Sequence, residues 1–113
     1  MDENETGWTA VLAADELLDG HAVRVTLGED ETVLLYRRGE ELFAIGDRCT
    51  HMGAPLHRGP IKPMGSTVIV TCPAHGSMFS LNDGRVMRGP ATQPEPAYDA
   101  RVRDGQVEIK PRP

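Results

Sequence analysis

The sequence is poor in aromatic residues and contains no long apolar run. Aromatic side chains make up only 4% of the 113 residues, so we expect a small and mainly aliphatic core. No apolar stretch approaches the ~20 residues that a membrane-spanning helix needs, which argues against a membrane anchor. The first five residues are acidic where a secretory signal would be basic, and we therefore expect a cytoplasmic protein.

Two kinds of catalytic motif are also missing. The sequence contains no Gly-x-Gly and hence no dinucleotide-binding fingerprint. No serine lies in a motif that would activate it as a nucleophile. We therefore expect a protein that catalyses no reaction on its own.

The charge of the chain is acidic and unevenly distributed. There are 12 Lys+Arg and 17 Asp+Glu residues, for a net charge of -5, and most of the acids lie between Asp2 and Asp47. This balance argues against nucleic acid as a ligand. It favours a basic protein surface as a partner, or serves solubility alone.

Short alternating segments separated by turn residues predict an all-β fold with stacked antiparallel sheets in one domain, residues 1–113. The predicted strands cover residues 23–27, 31–37, 42–45, 66–71, 77–81, 85–87, 98–103 and 106–110. Asn82-Asp83-Gly84 predicts a hairpin turn, and residues 13–20 predict one short helix that ends at Gly20. Residues 47–65 show little periodicity and are interpreted as loop.

The only two cysteines each lie close to a histidine. Cys49-Thr50-His51 and Cys72-Pro73-Ala74-His75 form two pairs of metal-binding residue types, each in a loop that contains glycine. Two thiolates on one metal atom and imidazoles on a second would suit iron atoms bridged by sulfide, because neutral imidazoles leave the second iron easier to reduce. A single zinc ion held by the same four residues is the alternative, although the cysteine pair that usually begins a zinc site is absent.

At these positions the sequence resembles the Rieske [2Fe-2S] proteins. The resemblance is carried by Cys49-Thr50-His51-Met52-Gly53, by Cys72-Pro73-Ala74-His75-Gly76-Ser77, and by Gly89-Pro90-Ala91, which is similar to the proline loop over the cluster in that family. It implies a Rieske-type fold with a two-loop cluster-binding subdomain over about residues 47–91, and one [2Fe-2S] cluster per chain. By the family pattern, Cys49 and Cys72 would bind one iron and His51 and His75 the other, with Ser77 and Pro90 beside the cluster.

Departures from the family pattern indicate the ferredoxin subtype. Respiratory members carry an extra disulfide between the two loops, and the matching positions here are Ala54 and Ala74. Phe79 stands where those members have a tyrosine that bonds a cysteine sulfur, whereas Ser77 keeps a hydroxyl. Fewer hydrogen bonds to sulfur predict a reduction potential in the lower part of the roughly -150 to +300 mV span of Rieske centres.

The resemblance implies a carrier of single electrons. Its donor would be a flavin-dependent NAD(P)H reductase, and its acceptor the terminal oxygenase of a ring-hydroxylating dioxygenase system, with no nucleic acid or membrane involved. Two alternatives stay open: the small Rieske-like subunit of an assimilatory nitrite reductase, and a structural zinc-binding module. Of the remaining histidines, His21 is interpreted as a solvated residue, and His57, in the first cluster loop, as a surface residue that could alternatively shape the rim of the site.

Overall fold

The computed structural model describes residues 7–112, which form two antiparallel β-sheets. The acidic segment at residues 1–5, on which the expectation of a cytoplasmic protein depends, lies outside the described residues. The strands are β1 (Thr9–Ala13), β2 (Ala22–Leu27), β3 (Glu31–Arg38), β4 (Glu41–Gly46), β5 (Ile61–Met64), β6 (Thr67–Thr71), β7 (Met78–Ser80), β8 (Val86–Arg88), β9 (Ala97–Arg103) and β10 (Gln106–Pro111). The predicted all-β fold with antiparallel sheets is confirmed.

The larger sheet, which we name the base sheet, has the strand order β1-β10-β9-β4-β3-β2. Strand β3, which lies between β4 and the edge strand β2, contains an apolar run that is buried on both faces. Because side chains alternate along a strand, Leu34 and Tyr36 pack into the core between the two sheets, whereas Val33 and Leu35 pack into a second core within the base sheet. β3 therefore joins the two cores.

The smaller sheet has the order β5-β6-β7-β8 and carries the region with the two cysteines. One of its faces supplies Val68, Val70 and Phe79 to the core between the sheets, and Cys49 and Cys72 belong to the same core. The two thiols are therefore part of a closely packed core, and close packing makes their surroundings rigid.

Three local predictions need correction. The helix predicted for residues 13–20 is a single 3-10 turn over Ala14–Glu16, because Ala13 already belongs to β1. The strand β1 was not predicted, and neither was β5, which lies within the segment interpreted as loop. Both missed strands are edge strands, so their conformation depends on pairing with β10 and β6 rather than on a strong local pattern.

No helix in residues 7–112 has the length and apolar character required to cross a membrane. The helical structure of this part consists of 3-10 turns at Ala14–Glu16 and Leu56–Arg58.

The segment after the second 3-10 turn runs against the small sheet just before Cys72. The Thr71 backbone N–H donates to the carbonyl of Pro60 at 3.0 Å. A Cβ atom placed on Gly59 would lie 1.8 Å from the Thr71 carbonyl oxygen, a backbone atom that cannot turn aside. Gly59 thus allows the end of the first cysteine loop to pack against the beginning of the second.

We predict that Gly59→Ala destabilises the protein by about 3 kcal/mol or more, because the backbone of one segment must move to admit the methyl group. Gly89→Ala is the matched control, since its Cβ would meet its nearest atom at an ordinary 3.8 Å. We expect the control to change stability by less than about 1 kcal/mol. Thermal or denaturant unfolding of both variants measures the difference, and equal effects would contradict this account of Gly59.

Candidate metal centre

The two cysteine loops have the same backbone construction. In the first, the Cys49 N–H donates to the Ala54 carbonyl at 2.8 Å, and the Gly53 N–H donates to the Cys49 carbonyl at 2.7 Å. In the second, Cys72 bonds Ser77 at 2.7 Å, and Gly76 bonds Cys72 at 3.1 Å, through the equivalent groups. Each loop thus turns back on itself within six residues and presents its central residues outward.

Gly53 and Gly76 occupy corresponding positions in these loops. Both have a φ of 82°, in the left-handed region that side chains with a Cβ rarely adopt. The glycines that accompany each Cys/His pair in the sequence are therefore explained by the turn that closes each loop.

The four candidate ligands form two neighbouring pairs, one of cysteines and one of histidines. The Cys49 and Cys72 thiols are both buried, and they are neighbours, since the Cys72 thiol helps to raise the pKa of Cys49. The imidazoles of His51 and His75 are exposed, with ring centroids 5.0 Å apart and planes at 89°. The loops thus bring all four predicted residues together, with sulfur inside and imidazole at the surface.

The environment of Cys49 suits a thiolate bound to metal. Burial raises the pKa of the Cys49 thiol, the backbone N–H of His51 lowers it, and the adjacent Cys72 thiol raises it again. A second backbone N–H, from Met52, also acts to lower it. Because a metal ion can replace the two protons, the buried pair of thiols is a suitable site for an electropositive group.

The donor arrangement fits two metal atoms better than one. Within residues 7–112, no three His, Cys, Asp or Glu side chains converge as the ligands of a single ion would. Thiol contacts thiol and ring contacts ring, which provides two separate pairs of donors. The residues therefore fit a binuclear group, whereas a tetrahedral zinc site needs all four donors around one point.

A third segment covers the loops and contains the other two predicted site residues. The buried Ser77 hydroxyl accepts a hydrogen bond from the Ala91 N–H at 2.9 Å. Thr50 of the first loop donates its hydroxyl proton to the Gln93 carbonyl at 2.6 Å. Pro90, which follows a cis peptide bond, is exposed immediately before Ala91. Both cysteine loops are thus attached to the segment that contains Pro90.

Asp47 and His57 are important residues of this region that the sequence analysis did not identify. Asp47 is fully buried, and its carboxylate accepts bonds from Arg24 at 2.5 Å, from the His57 N–H at 2.7 Å and from His57 Nδ1 at 2.8 Å. His57 is therefore half-buried rather than a plain surface residue, since its ring is held against a buried carboxylate. No local pattern could reveal this pair, because its two residues lie ten positions apart.

Glu95 is a second buried carboxyl near the first loop. It is 4% exposed, and its Oε2 atom has no hydrogen-bond partner in residues 7–112. Burial raises the pKa of Glu95 to about 8, the Thr50 backbone N–H opposes this shift, and the Asp47 carboxylate adds to it. The neutral form of the carboxyl is therefore the stable one in the folded protein up to about that pH.

We predict a pH-dependent effect of Glu95→Gln. Between pH 4.5 and about 8, Glu95 ionises in the unfolded chain but keeps its proton in the folded one, so the wild type loses stability as pH rises through this window. The neutral amide avoids that loss. Near pH 4.5 the two proteins should be similarly stable, whereas at about pH 8 the variant should be more stable by roughly 2–4 kcal/mol.

Thermal midpoints measured across this pH range test the prediction. Glu40→Gln, at an exposed glutamate, serves as the control and should show no such trend. A difference between Glu95→Gln and wild type that stays constant with pH would show that the proton on Glu95 is not responsible.

The chain is similar in sequence and in structure to known ferredoxins of dioxygenase systems. The chain is 34% identical over 99 residues to the 3-phenylpropionate/cinnamic acid dioxygenase ferredoxin subunit of Photorhabdus laumondii subsp. laumondii, which covers 88% of this chain and 90% of the relative. Among solved structures, the complex of reduced oxygenase and oxidized ferredoxin in carbazole 1,9a-dioxygenase contains a chain with a TM-score of 0.76 and 30% identity. That match covers 91% of this chain and 92% of the other.

A second group of solved structures is comparably similar. A Mycobacterium tuberculosis protein described as an NADH-dependent nitrite reductase small subunit has a TM-score of 0.78 and 30% identity, and the match covers 94% of this chain and 95% of that one. The fold is therefore shared by proteins from two kinds of redox system.

A profile of the Rieske [2Fe-2S] domain matches residues 7–107, which include both cysteine loops and most of both sheets. This match and the ferredoxin relatives indicate that the bound group is a [2Fe-2S] cluster rather than one zinc ion. The chain belongs to the Rieske [2Fe-2S] domain family.

Proposed function

We propose that this protein is a ferredoxin that carries single electrons from a flavin-dependent NAD(P)H reductase to the terminal oxygenase of a ring-hydroxylating dioxygenase system. The observation that carries the proposal is the pair of matching loops, which buries two thiols and exposes two neighbouring imidazoles. When bound, the [2Fe-2S] cluster supplies the ability to accept and release one electron.

The residues that hold the cluster are assigned as Cys49 and Cys72 for one iron and His51 and His75 for the other. Their contacts support this assignment, because the two thiols meet each other and the two rings meet each other. The buried thiols would shield from water the iron that they bind, while the exposed rings would leave the other iron accessible to a partner. We assign Ser77 and Pro90 to the wall of the same site.

The proposal includes no catalytic role for the chain on its own. The assigned site residues would bind and shield a redox group, and the two imidazoles are exposed to a partner. The relatives named for dioxygenases of 3-phenylpropionate and carbazole are ferredoxin components, which supports the same role here. We further propose that the chain is a single cytoplasmic domain, with the cluster-binding subdomain at residues 47–91.

A nitrite reductase small subunit is the second candidate, favoured by the similarity to the M. tuberculosis protein. The two candidates differ in how the protein associates. A ferredoxin exchanges between partners and purifies alone, whereas a subunit purifies in a fixed ratio with a large catalytic chain. Size-exclusion chromatography of the natively expressed protein distinguishes them.

Metal analysis tests the ligand assignment directly. We expect two irons and two acid-labile sulfides per chain, together with a red-brown colour that is bleached by dithionite. A colourless protein that contains one zinc and neither iron nor sulfide would refute both the assignment and the proposed function.

We predict that His51→Cys or His75→Cys lowers the reduction potential by hundreds of millivolts. An anionic thiolate in place of a neutral imidazole disfavours reduction, so the potential should move toward the roughly -400 mV of all-cysteine clusters. Voltammetry and the visible spectrum measure the change, with His21→Cys on the exposed end of the base sheet as control. A potential that is unaffected at both positions would count against imidazole ligation, and iron content reports whether each variant assembles.

We predict a smaller effect for Ser77→Ala. The Ser77 oxygen accepts a bond from Ala91, which leaves its own proton free to donate to a cluster sulfur. Losing one such bond of about 1–1.5 kcal/mol should lower the one-electron potential by roughly 40–60 mV. Ser80→Ala is the matched control, because Ser80 is equally buried but its hydroxyl accepts from the Asn82 N–H. Equal shifts in both variants would remove Ser77 from the site.

A further inference from the structure

The charges of this chain are distributed unevenly between residues 47–91, which we call the cluster-binding half, and the remaining residues. Residues 47–91 contain five Lys+Arg residues and two carboxylates, whereas the rest of the sequence contains seven and fifteen. Both carboxylates of residues 47–91 already have cationic partners: Asp47 is bound by Arg24 at 2.5 Å, and Asp83 lies 3.9 Å from Arg85. The half that carries the candidate ligands is thus positive, although the whole chain has a net charge of -5.

The cations without an internal partner are all in this half. Four cationic side chains have no ion pair, hydrogen bond or aromatic ring contact within residues 7–112, namely Arg48, Arg58, Lys62 and Arg88. In the base sheet, by contrast, cations are engaged: Arg38 pairs with Glu41, Arg112 pairs with Asp99, and Lys110 lies over the Trp8 ring. Charges that the fold leaves uncompensated are the ones available to an external partner.

The strand register places two of these cations on one face. Lys62 is opposite Ile69, and Arg88 is opposite Met78. Ile61, the neighbour of Lys62, and Phe79, the neighbour of Met78, belong to the core side of the small sheet, as does Val70 between them. Because adjacent side chains in a strand point to opposite faces, Lys62 and Arg88 lie on the outer side of the sheet.

We define the basic outer face as Lys62, Met64, Met78 and Arg88. Met64 shares the side of β5 that carries Lys62, and it is 64% exposed. Exposed methionine is adaptable and polarizable, so it makes favourable contacts with surfaces of varied shape. Of the five large hydrophobic side chains that are exposed in residues 7–112, three are methionines of the cluster-binding half: Met52, Met64 and Met87.

This face adjoins the candidate ligands. Met78 directly follows Ser77, and Arg88 directly precedes the Gly89-Pro90 segment that covers the loops. Arg58, another unpaired cation, precedes the segment at Gly59 that packs against Thr71, next to Cys72. A partner that touches His51 and His75 therefore meets positive charge and methionine beside them.

We propose that the basic outer face docks an acidic, carboxylate-rich protein surface on the redox partner. The inference rests on the proposed electron-carrier function and adds the sign of charge that the partner must present. It is opposite to the expectation from net charge, which favours a basic partner. Local charges dominate because the Debye length at physiological salt is about 8 Å, so the acidic base sheet is largely screened at the docking end.

Oxidation of the reduced holoprotein by small complex ions tests the local field. One electron passes from the ferredoxin to hexacyanoferrate(III), an anion, or to tris(phenanthroline)cobalt(III), a cation. We expect the rate constant with the anion to fall as ionic strength rises from about 100 mM, where the Debye length is about 10 Å, to about 1 M, and the rate constant with the cation to rise. Control of the field by the net negative charge would reverse both trends and overturn the proposal.

Charge-reversal variants show which cations determine the rate of oxidation by the anion. At an ionic strength of about 100 mM, Lys62→Glu with Arg88→Glu should slow oxidation by the anion by about tenfold. The control double variant, Arg38→Glu with Arg103→Glu, changes the net charge equally but lies in the base sheet, and it should have little effect. If both double variants slow the reaction equally, the outer face has no special role.

Poly-L-glutamate provides a direct mimic of an acidic polypeptide surface. It should inhibit oxidation of the wild type by hexacyanoferrate(III), and it should not inhibit the Lys62→Glu/Arg88→Glu variant. Inhibition by poly-L-lysine instead would overturn the proposal. An unchanged visible spectrum and iron content in every variant separate this result from a failure of the proposed function, which would show as loss of the cluster or of electron release.

Discussion

The buried carboxylate of Asp47 is the interaction on which the cluster-binding half depends. A carboxylate without exposure to water is costly unless every lone pair is satisfied. Here Arg24 comes from the base sheet, while the N–H and the ring of His57 come from the end of the first cysteine loop. The Asp47 backbone adds a bond from Leu56 at 2.8 Å, so one residue closes the base of the loop and fixes it to the larger sheet.

The two cysteine loops share a backbone conformation but are supported differently. The first is held by charge at Asp47, two residues before Cys49. The second emerges from β6 and returns into β7, both of which pack in the core between the sheets. Ser77 and Thr50 then connect the two loops to the segment after β8. Each loop therefore has its own support, which limits reorganisation of the candidate ligands.

The parts of the structure that the sequence predicted are those with a strong local pattern. Alternation identified β2, β3 and β4, and the glycine turns identified the hairpins. The Cys/His spacing brought the candidate ligands to attention, and the structure brings them together. By contrast, β5 contains Pro63 and pairs on one side alone, so its pattern is weak until β6 is in place. Asp47 with His57, and Thr50 with Glu95, are tertiary pairs that no periodicity encodes.

The net charge, which the sequence gives directly, also fails to show where the unpaired charges lie on the folded protein. Composition gives a net charge of -5, and a single net charge suggests a single sign of partner. The fold separates that charge, because it pairs the cations of the base sheet internally and leaves Arg58, Lys62 and Arg88 unpaired around the cluster-binding loops. A docking partner meets only the charges within about one Debye length of the contact. The register of β5 against β6, which sets Lys62 on the outer side, therefore matters more for partner choice than the total count of acids.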